Sequence, residues 1–178
     1  MSESFKKAVL TKSGCNFNID GMKLFRFHSY SDTDFLSHEE IPDTHENCLS
    51  FILCSTGKIR IQLLNGQIIS ACQQDVVCIS EKVNLSLFET EREASGFLLI
   101  AESPKIQNSL WKITKIMGNW NLDIHSAIQY TEQIGGRYLI RNNLWVFSLF
   151  SVLDVLDDTE QDCYCVWKCI ELLYLLSQ

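Results

Sequence analysis

Residues 56–80 read TGKIRIQLLNGQIISACQQDVVCIS. Ile59, Ile61 and Leu63 alternate with Lys58, Arg60 and Gln62, the period of a strand with one dry and one wet face. Asn65-Gly66 then supplies a hairpin, because a tight primed turn needs the positive φ that these residues tolerate. A second alternating run, QIISAC, follows, and Gln73-Gln74-Asp75 leads into a third, DVVCIS. This pattern is the wall of a small antiparallel barrel. Upstream, CLSFILCS (48–55) is almost wholly apolar and suits a strand covered on both faces. Before it, MKLFRFH (22–28) places Met22, Leu24, Arg26 and His28 on one face and Lys23, Phe25 and Phe27 on the other. Downstream, VNLSLFE (83–89) and ASGFLLIAE (94–102) bring the count to roughly eight strands with turn signals between them.

At Ser103-Pro104 the period changes. Ser103 suits a helix cap and Pro104 the first turn, where no amide partner is needed. Ile106, Leu110, Ile113 and Met117 recur at helical spacing, and Gly118 ends the helix. Residues 119–141 carry no clear period, with Gly135-Gly136 as a break. A second helix is predicted over 143–156. A third begins near Thr159, with Thr159 and Asp162 as a capping-box-like pair, and runs through CVWKCIELLYLLSQ. The expected class is α+β: an antiparallel β-barrel over residues 1–103, then about three α-helices over 104–178 packed on it. Ser148, Ser151 and Asp158 make only a thin polar stripe on the second helix. Helices so apolar must bury several sides, against the barrel, each other and a second chain. The third reaches Gln178 with no Gly, Pro or cationic last turn, so the natural chain is expected to continue.

The bulk numbers exclude several functions. Fifteen Lys and Arg against 22 Asp and Glu give a net charge of −7, and no basic stripe is present to grip a phosphate backbone. MSESFKKAVL lacks the apolar core of a signal peptide. LWVFSLFSVLDVL is shorter than a span of ~20 residues and carries Asp154. A soluble cytoplasmic protein without membrane contact is expected. In that compartment the eight cysteines are free thiols. Cys48, Cys54, Cys72 and Cys78 sit in or beside strands as small hydrophobes; Cys163, Cys165 and Cys169 fall on the last helix. Cys165 and Cys169 share a face, but no second pair or His has zinc-site spacing, which favours core packing.

Catalytic constellations are missing. A barrel metal site wants two His one residue apart, a Glu shortly after and a third His on a later strand. Here His28, His38 and His45 are scattered, and His125 lies in the helical half. No G-x-S-x-G, phosphate-cradling glycine loop or paired Cys and His is present, so no catalytic residue, metal or cofactor is assigned. SHEEIPDTHEN (37–47) reads as a solvated loop before it reads as a contact surface. Ligand binding stays open. A lumen lined by Leu24, Phe27 and Phe51, with Arg26, His28, Lys58 and Arg60 at its mouth, suits an anionic apolar molecule such as a fatty acid. The competing reading is that these cations simply face solvent, since faces depend on strand register.

The run from Cys48 to Phe88, the passage from GFLLIAES into PKIQNSLWKITKIMG, and the closing VWKCIELLYLLSQ together resemble the N-terminal regulatory domain of AraC/XylS-type transcription activators. The resemblance covers most of the chain from about Asn47. It implies a cupin-like barrel, a strand leading into a helix, and a leucine-rich dimerisation helix pair. It is similar to the virulence and type III secretion-linked members, which also lack the cupin metal ligands. The chain has no proline-rich arm and no Pro-Gly-x-x-His, so a sugar ligand is not implied. The family's DNA-binding half is absent, so this segment is expected to make no DNA contact. The expectation is a homodimer through Ile106, Leu110, Ile113, Met117, Trp167, Ile170 and Tyr174, receiving a fatty acid-like effector or a regulatory protein. Two other readings remain: an interaction module bound by a chaperone or anti-activator, and a cupin-type barrel enzyme using His28, His38 or His45.

Overall fold

A computed structural model describes residues 6–12, 19–29, 47–80, 85–91, 93–103, 105–116 and 122–177. Among them, eight strands come first: β1 (Lys6–Lys12), β2 (Met22–Ser29), β3 (Cys48–Thr56), β4 (Lys58–Leu63), β5 (Ile68–Cys72), β6 (Asp75–Ser80), β7 (Leu85–Thr90) and β8 (Ser95–Glu102). Then follow α1 (Lys105–Ile116), α2 (Ile124–Gln133), β9 (Arg137–Ile140), α3 (Leu144–Leu153) and α4 (Asp158–Leu176). The sheet is antiparallel in the order β5-β4-β7-β1-β2-β8-β3-β6-β9. The class is α+β.

The β4–β5 hairpin forms where Asn65-Gly66 places it, but by a different turn. Gly66 N bonds to Leu63 O and only Gly66 has positive φ, at 80°. This is an ordinary turn closed by a left-handed glycine, the three-residue hairpin solution. Residues 119–141, which showed no clear period, hold a fourth helix and a ninth strand. Asp123 caps α2 by accepting from His125 N, and Ile124, Ala127, Ile128 and Thr131 form its buried face. Gly135 and Gly136, both at positive φ, turn the chain into β9, which is hydrogen-bonded to β6. The sheet therefore takes one strand from beyond residue 103.

The helix boundaries also shift. Asn143 caps α3, which stops at Leu153, not Leu156. The capping box of α4 is Asp157 with Glu160, not Thr159 with Asp162. Asp158 thus belongs to α4 and is not on the same helix as Ser148 and Ser151. The hydroxyl of Ser103 is shared with His125 Nε2 at 3.3 Å.

Two apolar cores share one sheet. Phe25, Phe27, Ile52, Ile59, Ile61, Leu63, Val77, Phe88, Leu98 and Ile100 fill the space inside the rolled sheet, where the Phe27 and Phe88 rings meet edge-on, 4.8 Å apart. The alternate residues of β2, β8, β3 and β6 (Leu24, Leu99, Phe51, Val76, Cys78) face outward and join Ile106, Leu110, Ile124, Phe150, Cys169 and Leu173 of the helices. This double cover explains why CLSFILCS carries no polar alternation: Cys48 to Cys54 are all buried, on alternating sides. It also corrects the expected lumen. Leu24 and Phe51 line the helix side, and of the three only Phe27 points inward, where it packs against Phe88.

Candidate functional site

The four cations expected at a single mouth are divided between two places. Lys58 and Arg60 lie on β4, separated from β2 by β7 and β1. Ile59 and Ile61 point into the rolled sheet, so Arg60 points out, where Glu89 of β7 accepts from its Nε at 2.7 Å and from its Nη2 at 2.5 Å. Arg26 and His28, two residues apart on β2, line one cavity of about 470 Å³. That size lies within the roughly 300–1,000 Å³ typical of small-molecule sites.

The cavity opens where the sheet meets the α3–α4 connection. Phe27, Gly96, Phe97 and Leu153 give it apolar walls; Arg26, His28, Ser55, Ser95, Asp154 and Gln161 give it polar ones. Gly96 is obligatory here, because a Cβ would lie 1.9 Å from Leu53 O and 2.7 Å from the Phe27 ring. The Ser55 hydroxyl is buried with no hydrogen-bond partner among the described residues, an unused polar atom in the cavity wall. Its neighbour Thr56 is satisfied by Ser95 Oγ at 2.8 Å and Glu93 O at 2.9 Å.

Arg26 is the pivot of the site. Its guanidinium lies over the Phe97 ring, 5.0 Å from the centroid. Nε donates to Asp162 Oδ1 at 2.9 Å, and Nη1 to Asp158 Oδ1 at 3.1 Å and Gln161 Oε1 at 3.4 Å. Nη2 donates to the carbonyl of Asp158. One side chain of the sheet thus holds the whole first turn of α4. Gln161 continues the connection, donating from Nε2 to Leu153 O at 3.1 Å and Leu156 O at 3.0 Å, which fixes the corner between α3 and α4. Asp158, Gln161 and Asp162 were not singled out as partners of β2 in the sequence. A signal was present, though: Asp162 lies three and seven residues before Cys165 and Cys169, on the buried stripe of α4. A carboxylate on such a stripe needs a cation opposite it.

Four buried thiols, Cys54, Cys78, Cys165 and Cys169, are held protonated. Burial pushes Cys54 up to about 12, with Asp75, Cys72 and Glu91 adding to it. Burial likewise raises Cys78 to about 12 and Cys165 and Cys169 further. Protonated thiols are neither nucleophiles nor metal ligands near neutral pH. Cys165 and Cys169 pack in the helix-side core. Among the described residues no three His, Cys, Asp or Glu converge as a metal set. His38 and His45 lie outside the described residues. No helix among the described residues is long and apolar enough to cross a membrane.

The expected dimer residues also separate. Ile106, Leu110 and Ile170 are buried in this chain's own core and have no surface to offer a second copy. Tyr174 is half-buried against the same core, and Trp167 is exposed. Ile113 lies in α1, with its side chain outside the described residues, as is Met117. Apolar residues that do face outward include Trp111 of α1, Leu144 and Phe147 of α3, Val155 after it, and Trp167 and Leu175 of α4.

No family model and no curated protein matches the sequence. Solved structures similar to it include apo ToxT K231A from Vibrio cholerae, ToxT being an AraC-family regulator, at 10% identity over 85% of this chain and 54% of that one, TM-score 0.43. ToxT with bound unsaturated fatty acid, also from Vibrio cholerae, matches at 11% identity over 96% of this chain and 54% of that one, TM-score 0.39. An RmlC-like cupin with a double-stranded β-helix from Methanocaldococcus jannaschii matches at 13% identity over 61% of this chain and 98% of that one, TM-score 0.37. This chain spans about half the length of the ToxT chains.

Proposed function

We propose that this chain is a cytoplasmic regulatory and dimerisation domain of an AraC-type transcription activator. It has no enzymatic activity. It receives a signal and passes it to a DNA-binding half that lies outside the sequence. The observation that carries the reading is the cavity between β2 and the α3–α4 corner, because an occupant there touches the sheet and the helical hairpin together. A small molecule with an apolar body and a carboxylate, of fatty-acid type, suits a wall that sets Phe97 and Leu153 beside Arg26 and His28. A second reading, a protein signal, is favoured by the apolar side chains Leu144, Phe147 and Val155, which stand exposed about the same hairpin.

The test is isothermal titration with decanoate and with decanol, alongside mass spectrometry of small molecules that copurify with the protein. Saturable binding of decanoate with decanol much weaker supports the small-molecule reading. Absence of binding, with a stoichiometric protein captured from the native cytoplasm through the α3 face, transfers the reading to the protein signal. Stoichiometric iron, manganese or zinc with turnover of a substrate refutes both.

A further inference from the structure

Arg26 is already occupied by carboxylates, and its two acidic partners are not alike. Asp162 is buried, with its side chain 7% exposed, whereas the side chain of Asp158 is 89% exposed; that of Arg26 lies between, at 31%. An exposed carboxylate swings into water at little cost, because water replaces the cation it leaves. A buried one is held, because leaving its cation would strand a charge in a poor solvent. The guanidinium presents five N–H groups, and the edge turned to Asp158, with Nη1 and Nη2, is the one a second carboxylate can take in a bidentate fork.

We propose that an anionic ligand of this cavity binds by exchange: its carboxylate displaces the side chain and carbonyl of Asp158 from Arg26, while Arg26 keeps Asp162. This rests on the small-molecule reading above and supplies its regulation. The ligand is thereby set against the first turn of α4. When the cavity is empty, Arg26 fastens that turn to β2; when it is filled, the turn is freed at Asp158 but stays anchored at Asp162. Gln161, which shares the cavity wall and also bonds to Leu153 and Leu156, carries the change to the corner between α3 and α4. The surroundings favour exchange over simple addition. Asp154 also lines the cavity, so Arg26 with Asp154, Asp158 and Asp162 already carries excess negative charge, and a further anion is admitted only as one carboxylate leaves.

The experiment measures decanoate affinity by titration calorimetry for the wild-type chain, Asp158→Asn, Glu160→Gln and Arg26→Gln, with hydrogen exchange of the segment 157–162. Exchange predicts that Asp158→Asn, which removes a competitor, tightens binding about threefold to fivefold, the reach of an exposed ion pair. Glu160→Gln removes the same charge from the same turn without touching Arg26 and leaves affinity unchanged. Decanoate speeds amide exchange in 157–162 of the wild type and adds nothing further in Asp158→Asn. Arg26→Gln loses binding tenfold or more; should that variant unfold, the Asp158 and Glu160 pair decides alone. Binding equal in wild type and Asp158→Asn, or equally tightened by Glu160→Gln, overturns the exchange and leaves the ligand reading intact. No binding by any variant overturns both.

Discussion

Replacing Gly96 by Ala puts a methyl group where the fold has no room for it. Gly96 lies on β8, paired with Phe27 of β2 on one side and Cys54 of β3 on the other. A Cβ built there stands 1.9 Å from Leu53 O, about 1.5 Å inside the 3.4 Å at which ordinary contact begins, and 2.7 and 2.9 Å from two atoms of the Phe27 ring. Neither neighbour yields cheaply. Leu53 O is backbone of a strand buried on both faces, so moving it parts β3 from β8; the Phe27 ring is held edge-on by Phe88. Overpacking typically costs about 1–3 kcal/mol, and a clash with backbone belongs at the top of that range. With a urea slope of roughly 2 kcal/mol per M, the midpoint falls by about 1.5 M. Gly66→Ala is the comparison. Gly66 also needs its missing Cβ, at φ +80°, but nothing lies within 4 Å, so only the backbone term of about 1 kcal/mol applies, near 0.5 M. Urea unfolding followed by circular dichroism measures both. Equal shifts, or a Gly96→Ala shift below 0.5 M, would refute the described packing of Phe27 against β3 and β8.

Four further outcomes are expected. Double-mutant cycles should assign about 1–2 kcal/mol to Arg26 with Asp162 and below about 1 kcal/mol to Arg26 with Asp158, following their burial; the reverse order contradicts the anchor assignment. Iodoacetamide at pH 8 should modify exposed Cys72 in the native protein and reach Cys54, Cys78, Cys165 and Cys169 only after unfolding. Because Cys54 and Cys78 titrate at about 12 in the fold against 9.0 when unfolded, their contribution to stability is complete below pH 9 and lost as pH rises from 9 towards 12, which alkaline denaturation at fixed urea will follow. Phe147→Glu on the open face of α3 should leave the fold intact and abolish a dimer seen by light scattering at tens of micromolar if that face is the contact, whereas buried Leu110→Glu should unfold the chain.

The strands were legible because β-period and turn chemistry are local. Ile59, Ile61 and Leu63 point inward as their alternation with Lys58, Arg60 and Gln62 predicts, and Phe25 and Phe27 oppose Leu24 as MKLFRFH predicts. Two things were hidden. The stretch holding α2 and β9 is short, and its strand makes sense only beside β6, a partner some 60 residues away. The destination of an apolar helical face was hidden too: Ile106 and Leu110 carry the spacing of an interface and equally that of a core, and only the fold places them in the latter. Arg26 and His28, singled out by their charge on β2, do line one cavity. Lys58 and Arg60 gave the same signal for a different reason, on strands whose outer face carries charge pairs such as Arg60 with Glu89.

The position of the cavity follows from that same strand. Every strand covered by the helices must be apolar on both faces, and β2 obeys at Leu24 and Phe25 and then stops, placing Arg26 and His28 where the outer pattern calls for hydrophobic residues. Helices cannot seal against a guanidinium as they do against Leu24 or Phe51. The hairpin instead meets Arg26 with carboxylates, and the mismatch between a polar strand end and an apolar corner at Leu153 leaves space. On the other face of the same strand Phe25 and Phe27 are packed in the inner core, each worth about 1.5–3 kcal/mol of burial. A molecule that binds this chain through the cavity therefore binds at the seam between sheet and helices. Any preference it has for one arrangement of that seam shifts the hairpin by the same free energy.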